Sequence, residues 1–139
     1  MVKYKTYVLK RMNMPFTIVF VRDNFDEILI EALNQVVNEI DKYLKNVEEK
    51  FSPFLPDSLV SKHTGIGEVL QEDFFDLEYQ EVYSRSIIAK KETQGLFNPF
   101  FGGKYNPTGF VKGWAIENAF MKYIKPLIDN NIIEAGAIN

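Results

Sequence analysis

The sequence predicts an α+β fold, a mostly antiparallel sheet with helices packed on one face. Three observations point there. Two β-rich runs, "YKTYVLKRM" and "PFTIVFVRD", stand side by side at the start of the chain. A long stretch with apolar residues at helical spacing follows, and weaker helical stretches come later. The residues end on "NIIEAGAIN", which reads as a short buried strand.

In the first run Tyr4, Thr6, Val8 and Lys10 alternate with Lys5, Tyr7 and Leu9, the period of a strand. A polar break at Asn13 separates it from the second run, so the two form a hairpin or adjacent strands. Pro15 stands at the start of the second strand, a position it tolerates. Asn24 then opens a helix, with Glu27 three residues on as in a capping box. Ile28, Leu29, Ala32, Leu33, Val36, Val37, Ile40, Tyr43, Leu44 and Val47 follow at i, i+3, i+4 spacing. This predicts a helix from about Phe25 to Val47 that buries one stripe against the sheet. "FSPFLPDSLVSKHTGIG" reads as a long loop, the kind that often carries function. A second helix is expected from Phe75 to Lys91, with Tyr79, Val82, Tyr83, Ser86 and Ile87 inward. "ETQGLFNPFFGGKYNPTG" is irregular. A third helix is expected from Val111 to Ile124, limited or kinked by Pro126. No repeat or linker divides the chain, so a single domain over residues 1–139 is expected.

The totals narrow the function classes. The chain has 139 residues, 46% hydrophobic, with 12 Phe and 7 Tyr, so a core or cleft rich in rings is expected. A net charge of -3 argues against a general nucleic-acid binder, which needs a basic face. With no cysteine, thiol catalysis, thiolate metal sites and lipid attachment through cysteine are excluded. His63 is the only histidine, so no two-histidine metal site exists. It reads as a surface loop histidine, with no nucleophile elbow or cysteine to serve. Charges interrupt the N-terminus at Lys3, Lys5, Lys10 and Arg11, unlike a signal peptide, and no run approaches the roughly 20 apolar residues of a membrane span. A cytoplasmic location is the expectation.

Four stretches carry possible chemistry. In "YNPTGFVKGWAIENA" Thr108 reads as a helix N-cap, Gly109 and Gly113 permit close approach, and Lys112 falls in the first turn of the helix. A cation there opposes the helix dipole unless an anion lies between. The alternative is a solvated lysine beside a structural turn. In "FNPFFGG" Asn98 precedes Pro99 and its amide suits the hydrogen-bonding edge of a ring, or simply an Asn-Pro turn. In "FSPFLPDS" Phe51 and Phe54 lie among prolines, to stack on a flat ligand or to anchor the loop, with Asp57 and Ser58 capping the next turn. The run Glu48-Glu49-Lys50 and the pair Glu72-Asp73 read as solvated faces, and no carboxylate pair stands out as an acid and base.

Taken in order, these stretches resemble the ApbE family of FAD:protein FMN transferases, over its N-terminal half. The matching stretches are "MNMPFTIVFV", Ile40-Asp41, "SPFLPDSLVS", "TQGLFNPF", "NPTGFVKGWA" and, in degraded form, "EAGAIN". The Lys-Gly-Trp-Ala block, Lys112 to Ala115, is the most specific. The resemblance implies an ApbE-like fold and FAD bordered by Met12, Phe54, Leu96, Phe97, Asn98, Asn106 and Lys112. It also implies Mg2+ on the Gly109 carbonyl, and transfer of FMN from FAD to a Thr or Ser of a target flavoprotein, with release of AMP. Asn98 and Asn106 stand where the family usually has Asp, so two negative charges are missing, and weak magnesium binding is expected. A non-catalytic flavin-binding or interaction module is the alternative expectation. A second copy or a separate C-terminal chain would then complete the site.

Overall fold

A computed structural model describes residues 1–64, 75–100, 103 and 105–139. Their elements are, in order, β1 (Lys3–Arg11), β2 (Met14–Arg22), α1 (Glu27–Phe51), α2 (Leu59–Thr64), α3 (Leu77–Glu92), α4 (Thr108–Ala119), a π-helical turn (Phe120–Ile124), α5 (Lys125–Asp129) and β3 (Ala135–Ile138). The α+β expectation holds: the sheet is three-stranded and antiparallel, in the order β1-β2-β3. The chain divides into two compact units, one of residues 1–45 and 115–139, the other of residues 46–114. The Glu72-Asp73 pair falls outside the described residues. So does the His63 side chain, whose backbone lies in α2.

The first unit is a sheet with helix on one face. β1 and β2 pair from Lys3↔Arg22 to Arg11↔Met14, which leaves a two-residue turn at Met12-Asn13. Both turn residues have positive φ, 54° and 57°, so this is a left-handed hairpin turn matched to the strand twist. Alternation sends Phe16, Ile18 and Phe20 of β2 inward, where they are fully buried with Leu33, Ile40 and Leu44 of α1. Burying each such side chain stabilises by about 1.5–3 kcal/mol. The Tyr7 hydroxyl donates to Asn34 Oδ1 at 2.6 Å, and its ring meets Phe20 edge-on at 6.0 Å.

α1 starts later than its periodicity suggested. Asp26, not Asn24, is the N-cap: its side chain accepts from Leu29 N–H at 2.7 Å and its carbonyl from Ile30 N–H at 2.9 Å. Position N3 is therefore Leu29, and Glu27 is the first helical residue, so no capping box forms. At the far end the helix runs on to Phe51. The last helical stretch also differs from its expectation. It begins at Thr108 and runs past Pro126, so the proline does not limit the helix, and a π-helical turn interrupts the α-helix just before it. Pro126 has no N–H to give, and the chain adapts one residue earlier, where Lys125 N–H reaches back to the Phe120 carbonyl, an i→i−5 bond.

Arg11 and Asp41 form a two-pronged ion pair, Nε to Oδ1 and Nη2 to Oδ2, both at 2.9 Å. The Arg11 hydrogen bond holds the Asp41 carboxyl below the usual carboxylate range. A depressed folded-state pKa adds stability above the unfolded value, and that stability is lost as pH falls through the folded pKa. The pair is partly exposed, so Arg11→Ala should cost only about 1 kcal/mol at pH 7. Denaturation midpoints of the two proteins should converge in acid, below the unfolded Asp value of about 3.9. A gap that persists undiminished as pH falls well below that value would show that Asp41 is not its source.

The second unit is built on rings. Phe51, Tyr79, Val82, Val111 and Trp114 are buried, with Pro99 and Tyr105. Phe51 stacks on Tyr79 at 5.9 Å and meets Trp114 edge-on at 5.6 Å. Tyr105 contacts Tyr79, Tyr83 and Phe100 at 6.1, 5.2 and 5.4 Å. Of the residues expected inward on α3, Tyr79, Val82 and Ser86 are buried, while Tyr83 keeps an exposed edge. Asp76 caps α3 by accepting from Tyr79 N–H at 2.9 Å, and the same carboxylate meets Lys50 at 3.0 Å.

Candidate functional site

The segment 93–110 in the second unit gathers most of the singled-out residues. Thr93 ends α3, and its hydroxyl accepts from Phe97 N–H at 3.0 Å, which fixes where Phe97 departs. Asn98 folds onto its own chain: its Oδ1 accepts from Phe100 N–H at 2.9 Å, the local turn favoured before proline. Asn106 N–H then donates to the Pro99 carbonyl at 2.6 Å. That bond brings "TQGLFNPF" against "NPTGFVKGWA". The Asn106 side-chain oxygen accepts from Thr108 N–H at 3.1 Å and from the Thr108 hydroxyl.

The cap of α4 therefore differs from its expectation. Thr108 is the first helical residue, and Asn106 takes its N–H. The Pro107 carbonyl receives Val111 N–H at 2.9 Å, the first i→i−4 bond. Lys112 is thus the fifth residue of the helix and lies in its second turn, where the dipole opposes a cation less. Gly109 faces the Phe97 ring, and a methyl built on it would sit 3.5 Å from Phe97 Cε2. The Phe97 ring also lies 6.4 Å from Phe110. Phe97, Asn98, Asn106 and Gly109 therefore share one neighbourhood at the head of α4.

Two further residues are exposed in the same unit. Leu96 is 93% exposed beside Phe97, and Phe54 is 67% exposed on the turn between α1 and α2. Buried serines hold that turn. Ser58 donates to the Ser52 carbonyl at 2.7 Å and caps α2 by accepting from Ser61 N–H at 3.0 Å. The two phenylalanines of this stretch have opposite fates. Phe51 is the core anchor and Phe54 is outward, so Phe51 is removed from the candidates for stacking on a ligand. Met12 belongs to the sheet unit, buried in its left-handed turn.

The donor set at the head of α4 does not fit magnesium. It offers two amide oxygens, each already accepting a main-chain N–H, and the Gly109 carbonyl, which stands inside the helix. A hard dication needs charged oxygen ligands. Among the described residues no group of three or more His, Asp or Glu side chains is placed to hold a metal ion.

Sequence reasoning missed two features. Burial pushes the Tyr105 phenol up to about 12, with Ser86 pulling against it, and pushes the Tyr79 phenol higher still, so both rings are neutral packing groups. The only signal was the high Phe and Tyr count. The second is a carboxyl pair, Asp23 and Glu134, beside Arg22 in an open cleft of about 300 Å³ in the sheet unit. Their mutual hydrogen bond holds Asp23 down and Glu134 up. Nothing in the sequence joins these two positions. Another cleft, of about 480 Å³, is lined by Gln35, Glu39, Lys42 and Tyr123. Neither cleft is lined by any of the residues expected to border FAD or magnesium.

With the geometry described, the chain can be compared with known structures. The fold is ApbE-like. The chain superposes on the flavin transferase ApbE from Vibrio cholerae with a TM-score of 0.65 and 13% identity, over 100% of this chain and 57% of that one. A single-residue mutant of the same protein gives a TM-score of 0.65 and 14% identity, over 99% and 60%. This chain thus spans less than two thirds of the solved structures it matches. At such identity the likeness is one of fold. No protein-family model matches the sequence, and no curated protein matches it. Among the described residues no helix is long and apolar enough to cross a membrane.

Proposed function

We propose that this chain is a flavin-binding module that takes FAD at the head of α4. The observation that carries the reading is the meeting of residues 96–99 with residues 106–112, through the bond from Asn106 N–H to the Pro99 carbonyl. The ApbE-like fold supports it, because the matched structures are those of a flavin transferase. In this reading Phe54 stacks on the flavin ring, and Leu96 and Phe97 border it. The amide N–H groups of Asn98 and Asn106 remain to donate to the ligand, since both side-chain oxygens are engaged. Lys112 faces the pyrophosphate. Transfer of FMN to a Thr or Ser of a target flavoprotein is the second reading, favoured by the activity named for the matched structures. It requires carboxylate ligands for Mg2+ that the described residues here do not supply, so no transfer step is assigned to this chain.

A titration with FAD, with and without Mg2+, followed by flavin fluorescence and an assay for AMP, separates the readings. Saturable binding that ignores Mg2+ and releases no AMP is the expected result. Magnesium-enhanced binding with AMP release would establish transfer instead. No binding at high micromolar FAD would sink both. Phe54→Ala should weaken FAD binding by about 0.5–1.5 kcal/mol and, the ring being exposed, change stability by less than about 0.5 kcal/mol. Lys112→Ala should weaken it several-fold at low salt, where a contact with a charged phosphate is least screened. Unchanged affinity in both variants would move the ligand elsewhere.

A further inference from the structure

The segment that leads into α4 is short of carboxylates and not of cations. Residues 93–112 include lysines at 104 and 112 and no Asp or Glu. α3 adds to this imbalance. The Gly95 N–H donates to the Lys90 carbonyl at 2.9 Å, which ties the segment to the last turn of α3. Two cations of that helix then lie over rings of the segment. The Arg85 guanidinium carbon is 5.6 Å from the centre of the Phe110 ring, and Lys90 Nζ is 5.8 Å from the centre of the Phe100 ring. Phe110 meets Phe97, the ring that Gly109 faces. Phe100 gives its N–H to Asn98 Oδ1. Both cations therefore border the stretch where Phe97, Asn98, Asn106 and Gly109 come together, and all belong to the second unit.

Neither cation is neutralised firmly. Arg85 meets Glu81 one turn back at 3.6 Å, with side chains 45% and 50% exposed, and such a pair contributes little. Lys90 is half-buried and has no carboxylate partner among the described residues. The face of a ring attracts an ammonium but does not cancel its charge. An anion beside it would.

We infer that Arg85 and Lys90 hold the diphosphate of FAD and stand in for magnesium, so that the ligand binds without a metal. This rests on FAD binding at the head of α4. A metal bridging protein and diphosphate needs charged oxygens on the protein. Here the protein offers cations, which meet the diphosphate directly, while Asn98 and Asn106 are neutral and do not repel it. The guanidinium can bind two phosphate oxygens side by side, and the ammonium acts as a point charge. Arg85 and Lys90 stand about 7.5 Å apart along the helix axis, close enough for two long side chains to share one ligand.

The test compares FAD with riboflavin, which has the ring and no phosphate, by flavin fluorescence in the absence of Mg2+. In the double variant Arg85→Gln, Lys90→Gln the FAD dissociation constant should rise about tenfold or more, through lost charged hydrogen bonds. That of riboflavin should not change. The charge-keeping pair Arg85→Lys, Lys90→Arg should recover most of the FAD affinity. If the double variant does not fold, each single Gln variant should still raise the FAD constant several-fold. FAD bound by the Gln variants as tightly as by the wild type overturns this inference and leaves the flavin site standing. An equal loss for riboflavin overturns it too, because the effect then lies in the ring site or the fold. Mg2+ that tightens FAD binding by the wild type does the same. A wild type that binds neither flavin removes the site and the inference with it.

Discussion

Phe51→Ala should destabilise the ring-built unit by about 3–5 kcal/mol, the usual cost of emptying a buried phenylalanine site. Phe51 is 0% exposed at the last turn of α1. It stacks on Tyr79 with the planes 3° from parallel and meets Trp114 edge-on. Neither partner can easily follow the lost ring. Tyr79 is tied to the N-cap of α3 by its own N–H, and Trp114 lies within α4. Trp114 is the only tryptophan and its indole N–H finds no acceptor among the described residues. Its emission should therefore report the loss directly, shifting to the red as water enters the space. Chemical denaturation followed by that emission, and in parallel by far-UV circular dichroism, measures the effect. A loss under about 1 kcal/mol would mean that the ring is not packed as described.

Gly136→Ala should cost about 1–3 kcal/mol by overpacking. A methyl group on Gly136 would lie 2.7 Å from Ile124 Cγ2, 3.2 Å from Ile133 Cδ1 and 3.4 Å from the Val19 carbonyl oxygen. Ile124 is fully buried on the π-helical turn, and its branched Cβ leaves χ1 little freedom to swing the methyl aside. Relief would need the turn to move off the sheet. Gly113 is the internal control. It lies in α4 with nothing within 4 Å of a methyl group, so Gly113→Ala should stabilise by about 0.5–1 kcal/mol, the ordinary gain in a helix. Thermal melts of the two variants should move in opposite directions. A fall for both would remove steric crowding as the cause at Gly136.

The candidate site was legible in part, and the legible part is local. Asn-Pro at 98–99 and 106–107 marks turns by its own chemistry, and the structure has an Asn side-chain oxygen closing the chain on itself at both. That same closure was not foreseen as a use of the oxygens. It leaves only the amide N–H groups for a ligand and argues against a metal there. The helix caps were misread at Asn24 and Thr108. Several capping residues stand close together in each case, and the first helical N–H groups are met by Asp26, whose carboxylate accepts from Leu29 N–H, and by Asn106, whose side-chain oxygen accepts from Thr108 N–H. The carboxyl pair of Asp23 and Glu134 was invisible, because β3 brings Glu134 to the end of β2 from the other end of the chain.

Alternation in Tyr4 to Val21, the helical stripe from Ile28 to Val47 and the turn residues around Asn98 and Asn106 were enough to predict strands, helix and loops. Each is set by backbone geometry over a few neighbouring residues. Which of two nearby phenylalanines is buried, and which of two glycines is crowded, could not be read that way. Phe51 is inside because Tyr79 and Trp114 come to meet it, while Phe54, three residues on, meets open solvent. Gly136 is crowded because Ile124 and Ile133 converge on it. Burial and steric room depend on what distant segments bring to a position, so only the packed chain decides them.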